Sequence, residues 1–153
     1  MESFIDIDTI FINLQEEDRN SLLKKLSSVL YNNGYVNDKY CEAVILREGT
    51  YPTALDVEGD IKVAIPHAEP KYVNKSMVAF ASLNNPIKFN NMDNPEEAID
   101  VSLVFMLAVK DPSSHVEVLQ KLMGVFQDKE LLEKLKNCIS KEEVKNILED
   151  SIK

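Results

Sequence analysis

The chain has 153 residues, 44% of them hydrophobic and 28% charged, a balance that suits one globular domain with a real core. A net charge of −9 argues against nucleic acid, whose phosphates need a basic stripe, and equally against an anionic membrane surface. No apolar run reaches the roughly 20 residues of a membrane span, and an opening that carries Glu2, Asp6 and Asp8 is not expected to act as a secretion signal.

Leu22, Leu23, Leu26, Val29 and Leu30 recur at helical spacing, and Gly34 offers a stop, so residues 16–33 read as an amphipathic helix. Asn37 or Asp38 is placed to cap a second helix, with Tyr40, Cys41, Val44 and Ile45 on its inner face and its end near Arg47, Glu48 and Gly49. Residues 49–60 mix Gly, Pro, Thr and Asp and read as a loop. Three apolar runs follow. Residues 62–65 stop at Pro66. Residues 77–83 stop at Asn84, Asn85 and Pro86, a turn signal, after which 87–89 is expected to return as a short antiparallel strand. Residues 101–109 are apolar almost throughout, as in a central strand covered on both faces. Val116, Leu119, Leu122, Met123 and Phe126 then form one helical stripe, and Leu131, Leu132 and Leu135 a second. Ser140 to Glu143 form a capping box for a last helix with Val144, Ile147 and Leu148 inward. Helices first, strands in the middle and helices last predict an α/β fold over residues 1–153: a single domain with a mixed β-sheet sandwiched between helices. Cys41 and Cys138 fall in separate helical segments and read as two buried or half-buried thiols in a reducing cytoplasm.

The chain has only two histidines, and their settings match. His67 follows a strand that ends in Pro66. His115 follows the longest strand, where a helix begins behind Ser113 and Ser114. Ligand sites in open α/β sheets gather at the carboxyl ends of strands, so two parallel neighbours would put both imidazoles on one rim. A helix start beside His115 would also favour an anion. Position alone leaves each histidine open between a satisfied loop residue and a functional one. Arg47 is equally open: a solvated cation offsetting a helix end, or a guanidinium clamp on a phosphoryl group. Two histidines without H-E-x-x-H or C-x-x-C spacing build no typical zinc site, so no metal is expected. There is no phosphate-binding G-x-x-x-x-G-K-[ST] loop, and so no nucleotide or other cofactor is expected. Serine beside His115 reads as a helix cap rather than a nucleophile. The carboxylates at 16–18 and 142–143 read as solvated helix-start charges.

The run Val63, Ala64, Ile65, Pro66, His67 resembles the strand-Pro-His signature of the fructose/mannitol class of phosphotransferase-system enzyme IIA domains. Arg47 and Glu48 lie upstream as the Arg-Glu pair of that class does. Gly34, Tyr35 and Val36 resemble its N-terminal half, and His115 stands where the family commonly places a second active-site histidine. The resemblance spans about residues 10–150. Within the class, 51–55, 65–69 and 101–105 are most similar to the galactitol-type branch, although Ala54 and Ala68 stand where members often have glycine.

The resemblance implies the mannitol/fructose-type fold. It implies a phosphoryl carrier that accepts phosphate on His67 from the histidine-containing phosphocarrier protein and passes it to a cysteine of enzyme IIB. The membrane enzyme IIC then moves the sugar, galactitol or a related polyol among the candidates. His115 and Arg47 are implied as assisting residues, with no metal. Neither Cys41 nor Cys138 sits in the reactive loop a fused IIB would need, so a separate IIA chain is expected. Partners would dock around His67 on Pro66, Ala68, Pro70 and Tyr72, with the negative charge steering a basic carrier. Two rivals remain: a nitrogen-type regulatory enzyme IIA that signals by its phosphorylation state, and a hydrolase using both histidines as base and acid. A third possibility is an interaction module in which both are incidental.

Overall fold

The apolar run at 101–109 lies in the middle of the sheet, as its composition demands. In the computed structural model, which describes residues 4–152, five strands run β1 (Ile5–Leu14), β2 (Ala54–Leu55), β3 (Val63–Ala64), β4 (Met77–Asn90) and β5 (Ala98–Ala108). Their order across the sheet is β1-β4-β5-β3-β2. β4 pairs antiparallel with β5, β1 is parallel to β4, β3 is parallel to β5, and β2 is antiparallel to β3. The sheet is therefore mixed. Helices α1 (Arg19–Asn32) and α2 (Tyr40–Thr50) cover one face. Helices α3 (Pro112–Phe126), α4 (Lys129–Asn137) and α5 (Lys141–Ile152) cover the other.

Side chains on β5 alternate as a pleat requires. Leu103, Phe105 and Leu107 pack under α3 to α5, and Val104, Met106 and Ala108 pack under α1 and α2. Phe105 meets Phe80 edge-on and Phe126 at a tilt, with ring centroids 5.1 Å apart in both pairs. Such contacts add to area burial and fix the strand against its helical cover. Asp18 caps α1 by accepting from Ser21 N at 2.8 Å, so the helix starts later than position 16. Gly34 takes φ +81 just past the end of α1, a conformation that favours glycine. Ser140 caps α5 as expected, its Oγ accepting from Glu143 N at 3.1 Å, and Val144 and Leu148 are buried beneath it.

Several expectations are corrected. Helices do not come first: β1 precedes them at a sheet edge. Asp6 and Asp8 alternate with isoleucines in the half-exposed part of that strand, and Thr9 Oγ1 donates to Val78 O at 3.1 Å. Glu2, the other acid of that opening, lies outside the described residues. Asn84, Asn85 and Pro86 make no hairpin. The register jumps between Ser82 and Ile87, and these three residues bow out of one continuous β4 whose far half stays paired with β5. Proline, which lacks an N–H, is tolerated at such an irregularity. Part of the 49–60 loop is β2. Neither Asn37 nor Asp38 caps α2, which begins after Lys39. Asn37 Oδ1 instead accepts from Lys39 N at 3.0 Å in the preceding turn. On α3, Val118 and Val125 are buried where Val116 was expected, and Val116 is 55% exposed.

Candidate functional site

β3 is only two residues long, yet its register with β5 carries on past its end. Val63 lies opposite Leu103 and Ala64 opposite Val104, then Leu107 N donates to Pro66 O at 2.9 Å and His67 bridges to Leu107. This places His67 at the carboxyl end of β5. From there the chain turns through Asp111 into α3, and His115 N donates to Asp111 O at 2.9 Å in the first turn. The two parallel strands thus bring both imidazoles to one rim, with ring centroids 5.1 Å apart and planes inclined by 58°. Arg47 reaches the same place from the last turn of α2. Together with Ala68, Glu69, Pro70 and Pro112, these three side chains line a cleft of about 240 Å³. Across the sheet-facing side of α2, the buried Tyr40 hydroxyl donates to Leu107 O at 2.6 Å, fastening the helix to the residue that pairs with His67.

The electrostatics are specific. His67 Nδ1 lies 2.8 Å from the carbonyl oxygen of Ile65. A carbonyl can only accept, so Nδ1 carries the proton and Nε2 keeps a free lone pair. Burial holds the His67 pKa below the ordinary 6.5, the nearby charges of Arg47 and His115 add to this, and the Ile65 carbonyl opposes it. His115 is lowered too, by burial first and then by Arg47. Both rings are therefore neutral near neutral pH. Arg47 is half-buried; its guanidinium carbon sits 5.5 Å from the Tyr51 ring centroid, and its Nε is buried with no hydrogen-bond partner. That nitrogen is thus shut away from solvent rather than spread into water as a helix-end charge would be. The start of α3 is less anion-ready than the sequence suggests. Asp111, not a serine, is its cap, accepting from Ser113 N at 3.2 Å and Ser113 Oγ at 2.8 Å.

The charge coupling gives a pH prediction. A histidine whose folded pKa is depressed stays neutral until pH falls through that lowered value, and stability linked to it is lost as pH falls from the ordinary 6.5 through the lowered value. In Arg47→Gln one of the lowering causes is gone while burial remains. His67 should then titrate at higher pH than in the unaltered protein, read from its imidazole C–H proton signals. An unchanged titration would show that the guanidinium charge does not reach the ring.

A family model described as phosphoenolpyruvate-dependent sugar phosphotransferase system, EIIA 2, matches residues 3–151. The chain belongs to this family. It is 30% identical over 118 residues to the galactitol-specific EIIA component of Escherichia coli K12, covering 77% of each. It is 35% identical over 101 residues to the transcriptional regulator ManR of Bacillus subtilis, which covers 66% of this chain but only 14% of that longer protein. Among solved structures it resembles the nitrogen regulatory protein IIA-Ntr of Neisseria meningitidis, with TM-score 0.77, 30% identity and coverage of 95% and 96% of the two chains.

The EIIA rim differs in one respect from the expected docking surface. Pro66 and Ala68 are buried, so neither offers much contact. The exposed apolar groups beside the cleft are Leu46 and Tyr51, 72% and 64% exposed, which line an adjoining groove with Thr50, Glu69 and Tyr72, and Val116 just beyond His115. Tyr51 and Glu69, not among the candidate site residues of the sequence, line the groove and the cleft; both fall in the segments 51–55 and 65–69 that resemble the galactitol-type branch. No helix among the described residues is long and apolar enough to cross a membrane.

Proposed function

We propose that this EIIA chain carries a phosphoryl group on Nε2 of His67. The supporting observation is the tautomer: Nδ1–H is committed to the Ile65 carbonyl, which leaves Nε2 as the free nucleophile on a cleft shared with Arg47 and His115. In the first step the Nε2 lone pair attacks phosphorus on the phosphohistidine of a phosphocarrier protein. The donor P–N bond breaks and its electron pair returns to the donor nitrogen. In the second step a cysteine thiolate of an EIIB partner attacks the same phosphorus, and the His67 P–N bond breaks with its electron pair returning to Nε2. A neutral imidazole suits both steps, being nucleophilic on entry and a good leaving group on exit. Arg47 and His115 offset charge on the phosphoryl oxygens; positioning and electrostatics supply most of the acceleration in such transfers.

The apolar rim of Leu46, Tyr51 and Val116 suits successive docking of two proteins, and the chain's net charge of −9 suits steering of a basic carrier. Similarity to the galactitol-specific component favours uptake of a polyol or related sugar through a membrane EIIC. The similarity to ManR and to IIA-Ntr supports a second reading, in which the phosphorylation state is a signal to a regulator. Incubation with phosphoenolpyruvate and the two general phosphotransferase proteins should deposit one acid-labile phosphate on His67, and adding EIIB should discharge it. A phosphate that no EIIB removes, but that alters binding to a regulatory protein, would favour the second reading. No labelling at all would end the carrier reading.

A further inference from the structure

Glu48 follows Arg47 in the last turn of α2 and is 2% exposed. Burying a carboxyl group is costly, and an apolar side chain would fill the place at less cost. Oε1 accepts from Thr53 N at 3.2 Å and from Thr53 Oγ1 at 2.8 Å, while Oε2 is buried without a partner. Burial raises the pKa of this group; the two Thr53 bonds and then the charges of Arg19 and Arg47 oppose the rise. The group is thus directed at one residue, Thr53.

Thr53 leads directly to the site. Its carbonyl accepts from Ile65 N at 3.3 Å, one rung beyond the pairing of Ala54 with Ala64 and Leu55 with Val63. The carbonyl of Ile65 accepts from the Nδ1–H of His67. That carbonyl belongs to the peptide whose nitrogen is Pro66, which has no N–H of its own to anchor the plane. Two flanking hydrogen bonds steady its orientation: Ile65 N to Thr53 O on one side, Leu107 N to Pro66 O on the other. Leu107 belongs to the central strand. Thr53 precedes a strand of two residues whose Ala54 pairs with Ala64 and bridges to Asn91, and Glu48 is the side chain that grips Thr53 itself.

We propose that Glu48 is a positioning residue: through Thr53 and the backbone of Ile65, it holds the carbonyl that fixes the tautomer of His67 and so keeps Nε2 free. This deepens the carrier reading and rests on it for its functional meaning, but its primary readout needs no phosphate. In 15N-labelled, phosphate-free protein, His67 should show a protonated-type Nδ1, a pyridine-type Nε2 and a slowly exchanging Nδ1–H. In Glu48→Ala the two nitrogen shifts should converge as the other tautomer gains population, while those of His115 stay in place. The rate of phosphoryl acceptance should fall roughly tenfold, the scale of one lost hydrogen bond, with little change in carrier affinity. Glu48→Gln keeps an oxygen acceptor and should restore the His67 shifts. Thr53→Val removes only the hydroxyl, should give a partial shift, and carries the test if Glu48→Ala does not fold. Unaltered His67 nitrogens in a folded Glu48→Ala or Thr53→Val protein would overturn the proposal, as would equal movement of His115, which would mark general loosening. Lost labelling of the unaltered protein would instead overturn the carrier reading and leave the tautomer result standing.

Discussion

His67→Ala should take up no phosphate from a phosphorylated carrier, however long the incubation. On the proposed reading, the substitution removes the accepting nitrogen, Nε2 of the ring whose Nδ1 lies 2.8 Å from the Ile65 carbonyl. His115 is the nearest substitute, with its ring centroid 5.1 Å away, but among the described residues no hydrogen bond fixes its tautomer. It reaches the shared rim from the first turn of α3, whereas His67 is bridged to the central strand itself. The fold should survive, because His67 is only half-buried and its loss opens a cleft that already meets solvent. Far-UV circular dichroism and a melting curve close to those of the unaltered protein would show this, and acid-labile phosphate would be assayed on the same sample. Labelling of the variant at the normal rate would move the acceptor elsewhere.

The second large effect is expected from Arg47→Ala. Removing one preorganised donor or charge at a transition state typically costs about 2.7–4 kcal/mol, on the order of a hundred- to a thousandfold in rate. The buried Nε of Arg47 makes no hydrogen bond, so its removal strands no acceptor there, and what goes with it is the Tyr51 ring contact and the smallest of the charge effects on Glu48. Stability should therefore change little while transfer slows strongly, a separation a purely structural arginine would not give. Arg47→Lys should recover only part of the rate, since an ammonium lacks the planar fork that matches phosphoryl oxygens. His115→Ala should also slow transfer without abolishing it. Rapid-quench measurement of acceptance and of onward transfer checks both residues. Unaltered rates in each direction would remove them from the site.

The parts of this fold legible in the sequence are those where one pattern had one physical cause. Residues 101–109 are apolar on both faces because helices cover both faces, and α1 shows its stripe because only one side meets the sheet. The shared rim of His67 and His115 followed from a single condition, parallel neighbouring strands, and that condition is met. Elsewhere two causes competed. In β1 the isoleucines alternate with acids, but edge exposure and a broken register blur the pattern. Asn84, Asn85 and Pro86 carry turn chemistry, yet the pairing on either side of them with one partner strand outweighs it. On α3, Val116 fits the helical period as well as Val118 does, and only the direction in which the helix leaves β5 separates them. Arg47 lay near a helix end in either reading. Its burial and its unpaired Nε come from the surrounding tertiary structure and leave no mark on local sequence. The same is true of Glu48, whose partner Thr53 is near in sequence but whose consequence for His67 passes through a strand pairing.

The parallel pairings have a consequence for how the protein is made. β1 is synthesised well before β4, its one strand partner among the described residues, with two α-helices and two short strands made between them. His67 likewise finds its backbone bridge only when Leu107 has been added, much later in the chain. Closing such distant pairings is the slow part of folding, since loop entropy is lost before contacts return it. A nascent or truncated chain ending before β5 would carry the full strand-Pro-His segment with its imidazole free to exchange tautomers. On the proposed reading, phosphoryl acceptance would then begin only after the central strand has been synthesised and has docked, so a chain that accepts the group is one in which β5 is already in place.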